Sequence, residues 1–140
     1  MNIFRKFKAS LRLREAIKMA DKAYRQSGQR YYVMPQHGTG GRKLIVMDRF
    51  NFRRLKMKHY IHHNARVADL VRECFYCTPY RDGNQFLAPA DRKKKVIQYF
   101  AWVEADRKAT RHRRKIMKQR RKTAANRSGN TPDKQVCSRS

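Results

Sequence analysis

The stretch RYYVMPQHGTGGRKLIVMD, residues 30–48, decides the fold. Two β-prone runs, 30–34 and 44–47, flank a turn segment, 35–42, that contains three glycines. This order predicts an antiparallel β-hairpin with a long loop at its tip. Because two strands are marginally stable on their own, we expect helices to cover one face of the hairpin.

The segment before the hairpin predicts a long basic helix. Apolar residues recur at helical spacing from Ile3 to Tyr24, and Lys and Arg fill the other faces. The helix is therefore expected over residues 3–27, with Gly28 ending it. Its apolar stripe is expected to pack on the hairpin, with the basic side toward solvent.

Two shorter helices are predicted after the hairpin. Asp48 is expected to cap the first, over about 49–58, and its inward-facing residues are Phe52 and Leu55. Asn64 is expected to cap the second, which Thr78-Pro79 ends. The apolar stripe of this second helix is expected to consist of Val67, Leu70, Val71, Cys74 and Phe75.

A fourth helix is predicted to begin near Pro89 to Asp91 and to continue into a basic segment, since nothing stops it before Asn126. Its buried stripe is expected to be Val96, Ile97, Phe100, Ala101 and Val103. The fold class is thus α+β and mostly helical: a β-hairpin covered by amphipathic helices, with a long basic C-terminal helix and a disordered tail. The expected organisation is a domain over 1–106, a basic arm over 107–125 and a disordered tail over 126–140.

The charge of the chain predicts its partner. Lys and Arg number 36 against 10 Asp and Glu, which gives a formal net charge of +26. Ten of the sixteen residues from Arg107 to Lys122 are basic and none is acidic. Such clustering is the electrostatic footprint of phosphate binding, so DNA or RNA is the expected partner. The predicted contact residues are Arg107, Lys108, Arg111, Arg113, Arg114, Lys115, Lys118, Arg120, Arg121 and Lys122 of the arm, with Arg42 and Lys43 of the hairpin loop.

The loop sequence HGTGGRK, residues 37–43, is not a nucleotide-binding phosphate loop. A phosphate loop ends in Gly-Lys-Ser/Thr and opens a helix, whereas a predicted strand follows here. The loop is therefore expected to be the hairpin tip. A basic, Gly-rich tip can still contact phosphate through its backbone N–H groups.

One constellation has the residue types of a metal site. His59, His62 and His63 precede the pair Cys74 and Cys77, but the order is inverted relative to common zinc fingers and no second Cys pair exists. We therefore expect the cysteines to be buried packing residues, with no metal and no cofactor. Because the acidic residues are scattered, we also expect the chain not to be an enzyme.

Three segments carry a resemblance to other proteins: 32–35, 44–49 and 73–80. They resemble uncharacterised small basic proteins of bacterial phages and mobile elements, over residues 1 to about 108. The resemblance implies no activity and assigns no functional residue. Together with the charge, it gives the hypothesis of a phage or mobile-element DNA-binding or packaging accessory.

Three alternatives remain open from the sequence. They are an RNA-binding structural component of a ribonucleoprotein, a nucleic-acid enzyme with a Cys/His metal centre, and a peripheral membrane protein anchored by the first helix. No stretch has the length and apolarity of a secretory signal or a membrane span. The expected location is therefore the cytoplasm, at the nucleoid or in a host cell, or the virion.

Overall fold

The computed structural model describes residues 1–80 and 87–129 of the 140. Within these ranges the elements, in chain order, are α1 (Ile3–Ser27), β1 (Tyr32–Pro35), β2 (Leu44–Met47), α2 (Arg49–Met57), α3 (Val67–Glu73), β3 (Tyr76–Cys77) and α4 (Pro89–Gly129). The α+β, mostly helical class is confirmed. The predicted bounds of the first helix are confirmed as well, and the second helix ends one residue earlier than predicted.

The predicted hairpin supplies two strands of a small three-stranded antiparallel sheet of order β2-β1-β3, in which β1 is the central strand. Tyr32 pairs with Met47 on one side and with Cys77 on the other. Successive side chains of β1 point to opposite faces, as the two-residue period of a strand requires. Val33 belongs to one buried cluster, whereas Tyr32 and Met34 belong to another.

These two clusters make a three-layer arrangement with the sheet in the middle. On the Val33 side, α1 and α4 cover the sheet through Ala9, Leu13, Ala16, Ala20, Tyr99 and Val103. On the Tyr32 side, α2 and α3 cover it through Phe52 and Leu70, which are 3% exposed each. Helices therefore cover both faces of the sheet, whereas the sequence predicted helices on one face only.

The second short helix is shorter than predicted. Asn64 does not cap it; α3 begins after Arg66, whose backbone N–H donates to the Asp69 carboxylate at 2.8 Å. The helix ends at Glu73, so Cys74 is its cap and Phe75 lies beyond it, and Thr78-Pro79 is not its end. The Phe75 backbone N–H instead donates to Val33 O at 2.9 Å, because joining the sheet satisfies this backbone better than another helical turn.

The buried face of α4 also differs from the prediction. Tyr99, Val103 and Asp106 are its buried residues, whereas Val96, Ile97 and Ala101 are exposed and Phe100 is half-buried. The Tyr99 hydroxyl donates to Ala9 O of α1 at 2.8 Å. Its ring packs edge-on against Phe75, with centroids 5.1 Å apart. A tyrosine that satisfies its hydroxyl while burying its ring fixes the rotation of α4 more strongly than the aliphatic residues do.

The same helix then leaves the domain. It runs through Asp106 and Arg107 without a break and continues to Gly129, so residues 126–129 are helical where the sequence predicted disorder. The rest of the predicted tail, 130–140, lies outside the described residues. From 111 to 129 every residue except Ile116 is exposed. In the part of the chain that the structure describes, no helix has enough consecutive apolar residues to cross a bilayer.

Candidate nucleic-acid interface

A basic cleft lies where the start of α1, the hairpin loop and α4 meet. Its volume is about 490 Å³, and twelve of the residues that the structure describes line it. Seven of the twelve are cationic: Arg5, Lys8, Arg12, Arg42, Arg107, Arg111 and Arg114. Among these described lining residues, Glu104 is the one acidic residue. Such an excess of like charge in one concavity attracts anions and raises their local concentration.

The convergence follows from the register of two helices. Arg5, Lys8 and Arg12 recur at i, i+3 and i+7 on α1, which places them on one face. The triplet 107, 111 and 114 follows the related spacing i, i+4 and i+7 on α4. Because the Tyr99 hydroxyl ties α4 to α1 at Ala9, these two basic faces border the same cleft.

The basic face of α4 extends beyond the cleft along the arm. Lys118 and Arg121 continue the spacing of Arg107, Arg111 and Arg114, so the five form one row. Adjacent members of the row are displaced by about 4.5 or 6 Å along the axis. The remaining predicted cations of the arm lie off this row: Lys108, Arg113, Lys115, Arg120 and Lys122.

The structure thus brings together some of the predicted contact residues and adds others. Arg42 and the three arm residues at 107, 111 and 114 line the cleft, while Lys43 is exposed beside it. The sequence prediction missed Arg5, Lys8 and Arg12 of α1, which line the opposite side. Their helical spacing was a usable signal, but nothing in the sequence shows which partner a basic helix face meets.

The backbone of the hairpin loop binds a carboxylate of the chain itself. The N–H of Gly38 donates to Asp106 Oδ1 at 2.9 Å, and the N–H of Gly41 donates to Oδ2 at 2.8 Å. The expectation that the loop contacts phosphate through its backbone is therefore wrong for these two groups. Burial opposes ionisation, but the loop N–H groups more than offset it and hold the pKa of Asp106 below its ordinary value. Asp106 is the anchor that positions the loop, and with it Arg42, at the end of the cleft.

We expect Asp106→Asn to lower the free energy of unfolding by about 2 kcal/mol, because it replaces a charged acceptor of two N–H groups. Glu73→Gln, at an exposed carboxylate, is the matched control. Since the folded pKa of Asp106 is depressed, its contribution is present above the ordinary value of 3.8 and is lost as the pH falls through the folded value. Urea unfolding should show the wild-type advantage shrinking below that pH; equal stabilities of both variants at neutral pH would contradict the anchoring role.

The metal-like constellation is not assembled. Cys74 and Cys77 are buried in the core, whereas His59 and His62 are exposed on the segment after α2. The described residues contain no group of three or more His, Cys, Asp or Glu placed to hold a metal ion. The neighbour of Cys77 is a cation instead, since Nη2 of the buried Arg30 donates to its Sγ at 3.1 Å.

The surroundings of Cys74 and Cys77 shift the pKa values of the two thiols in opposite directions. The hydrogen bond with Cys74 lowers the pKa of Cys77, burial opposes it, and the Arg30 guanidinium adds to the lowering, so that the pKa of Cys77 is about 6. The same hydrogen bond and burial raise the pKa of Cys74. The folded pair therefore loses one proton near pH 6 and keeps the other, while both thiols of the unfolded chain titrate near 9.0.

We expect the free energy of unfolding to rise with pH between about 6 and 9 and to fall above 9, through this pair. Between these values the unfolded chain binds more protons than the folded chain, and above them it binds fewer. Urea unfolding between pH 6 and 9, with Cys77→Ser as the comparison, isolates the rise, because the variant lacks the thiol that titrates near pH 6 in the folded chain. Parallel pH profiles of the two proteins would contradict it.

Comparison of the chain with protein-family models, with curated proteins and with solved structures finds no match.

Proposed function

We propose that the protein binds nucleic acid through the phosphate backbone, gripping it in the basic cleft and along the row of cations on α4. The observation that carries the proposal is the convergence of seven cations from three separate elements around one carboxylate. Like charges held this close destabilise a fold unless an anion joins them. Each phosphate that is neutralised also releases condensed counterions, which favours binding to a nucleic acid over binding to isolated anions.

The shape of the basic surface supports an extended ligand. The row on α4 begins inside the cleft at Arg107 and leaves it at Lys118, so a chain of phosphates can follow it from one region to the next. The helix of 41 residues is about 60 Å long, and its exposed part presents cations on every side. A small anion would use the cleft alone and would leave the arm without a partner.

In this proposal the chain is a binding protein and not an enzyme. A nuclease needs clustered carboxylates or a metal centre near its phosphate site, whereas within residues 1–80 and 87–129 the cleft lining has one carboxylate, that of Glu104. The protein would act in the cytoplasm, where it would serve as a genome-binding or packaging accessory of a phage or mobile element.

The test compares two double variants of equal charge. Arg111→Ala with Arg114→Ala removes two cleft cations, and Arg53→Ala with Arg54→Ala removes two exposed cations of α2 on the other side of the sheet. We expect the cleft variant to bind a labelled oligonucleotide at least about tenfold more weakly, and its salt slope to shrink by about 2. The α2 variant should stay within about threefold of the wild type, as rim charges that miss the ligand do.

Fluorescence anisotropy at several salt concentrations gives both quantities for each variant. If the two double variants weaken binding equally, the net charge and not the cleft is responsible. If neither variant nor the wild type binds any oligonucleotide at low salt, the proposed function fails.

A further inference from the structure

The first turns of α1 expose an apolar stripe. Phe4 is 75% exposed, Phe7 63% and Leu11 39%, and the three recur at i, i+3 and i+7 on one face. The sequence predicted that these residues belong to the face that packs on the sheet. The packing face is instead formed by Ala9, Leu13, Ala16 and Ala20. Large apolar side chains exposed side by side mark a surface for a partner.

The stripe borders the basic cleft directly. The cationic triplet Arg5, Lys8 and Arg12 follows the apolar triplet Phe4, Phe7 and Leu11 by one residue at each position. The two stripes are therefore rotated by about 100° around one helix, which separates their side chains by roughly 8 Å at the helix surface. A ligand held by the cations thus has two phenyl rings within reach.

We infer that the ligand is a single-stranded nucleic acid, whose phosphates lie in the cleft while its bases stack on Phe4 and Phe7. The inference rests on the proposed function and names its substrate class. Single strands have unpaired bases with free faces, and stacking on an aromatic ring contributes about 1–3 kcal/mol per base. In a duplex the base faces are stacked on one another, so the two phenyl rings would gain no partner.

The geometry of the cleft favours a single-stranded nucleic acid over a membrane surface as the ligand. An anionic bilayer could accept the apolar stripe, but Arg12 is half-buried and faces α4 and the hairpin loop across the cleft. A flat surface cannot enter a concavity that three elements enclose. A flexible polyanion can occupy the cleft and extend to the adjacent stripe at the same time.

The test uses three labelled ligands of about 20 nucleotides: an unstructured single strand, the same sequence as a duplex, and an abasic single strand with the same phosphates. We expect the wild type to bind the single strand at least about tenfold more tightly than either the duplex or the abasic strand. Phe4→Leu with Phe7→Leu keeps the stripe apolar and removes the rings. It should lose about tenfold on the single strand and less than about twofold on the other two ligands.

Arg111→Ala with Arg114→Ala is the control for the cleft and should weaken all three ligands. The inference is overturned if the wild type binds single strand and duplex equally tightly and the Phe variant binds as the wild type does. In that case the proposed function still stands if the Arg variant binds more weakly than the wild type. A Phe4→Asn, Phe7→Asn variant that keeps its single-strand affinity but no longer binds vesicles of phosphatidylcholine and phosphatidylserine assigns the stripe to membranes and also overturns it. Matching urea unfolding of all variants verifies that each is folded.

Discussion

Affinity for duplex DNA is expected to fall by about three to four orders of magnitude between 50 and 200 mM monovalent salt. Ten of the sixteen residues from Arg107 to Lys122 are basic, and Arg5, Lys8, Arg12 and Arg42 add four cations in the cleft. If these groups neutralise about six to eight phosphates, the slope of log affinity against log salt is about −5 to −7. The same contacts on a single strand give about −4 to −6, because each phosphate there holds fewer counterions.

A chain ending after Arg114 separates the two parts of the basic surface. It keeps every lining residue of the cleft and lacks Lys115, Lys118, Arg120, Arg121 and Lys122 of the arm. We expect it to bind with a slope smaller in magnitude by about 3 to 5, because the arm and not the cleft supplies these contacts. A full-length slope near zero would remove the electrostatic account of binding. An unchanged slope after truncation would confine the contacts to the cleft.

The parts of the fold that local sequence determines were predictable. The hairpin follows from two β-prone runs around a glycine-rich turn, and Asp48 caps α2 through its bond from the Asn51 N–H at 2.8 Å. The first helix likewise keeps its predicted bounds. In each case the signal and the structure that it produces lie within the same short segment, so no distant contact decides between alternatives.

Other parts depend on distant contacts that the sequence does not display. The helix predicted to include Cys74 and Phe75 ends before them, and the chain continues into β3. The reason is that β3 pairs with the edge of β1 that β2 leaves free. The orientation of α4 depends on the bond from Tyr99 to Ala9 O, which joins residues ninety positions apart. An apolar residue can be buried in a helix or in a strand, and on more than one face of a helix. The residue alone therefore does not show which arrangement tertiary packing selects.

The candidate site shows the same division. The arm was evident as a run of charge, but the cleft needs α1, the hairpin loop and α4 together. The Asp106 carboxylate holds the hairpin loop at the cleft, but in the sequence this residue served only to mark the end of the domain. Its partners are backbone N–H groups, and no side-chain pattern reports where those point.

The hairpin loop also supports the largest expected effect on stability, at Gly41. This residue has φ +73, and a Cβ on it would lie 2.8 Å from both Cα and O of Val103 in α4. Neither atom can retreat, because Val103 is 6% exposed and its backbone is held within the helix. Gly40 has nearly the same backbone angle, φ +72, but a Cβ there would meet nothing within 4 Å.

The pair Gly41→Ala and Gly40→Ala therefore separates a steric clash from backbone strain. Both variants carry the left-handed penalty of about 1–2 kcal/mol, so Gly40→Ala should lose about that much stability in urea unfolding. Gly41→Ala adds the overpacking against α4, and we expect a total loss of about 3–5 kcal/mol. Its displaced loop also breaks the bond from the Gly41 N–H to Asp106 and moves Arg42 from the cleft, so nucleic-acid affinity should fall in Gly41→Ala more than in Gly40→Ala. Equal stability of the two variants would show that the loop does not pack on α4 at Val103, and the cleft would then lose the wall that the loop provides.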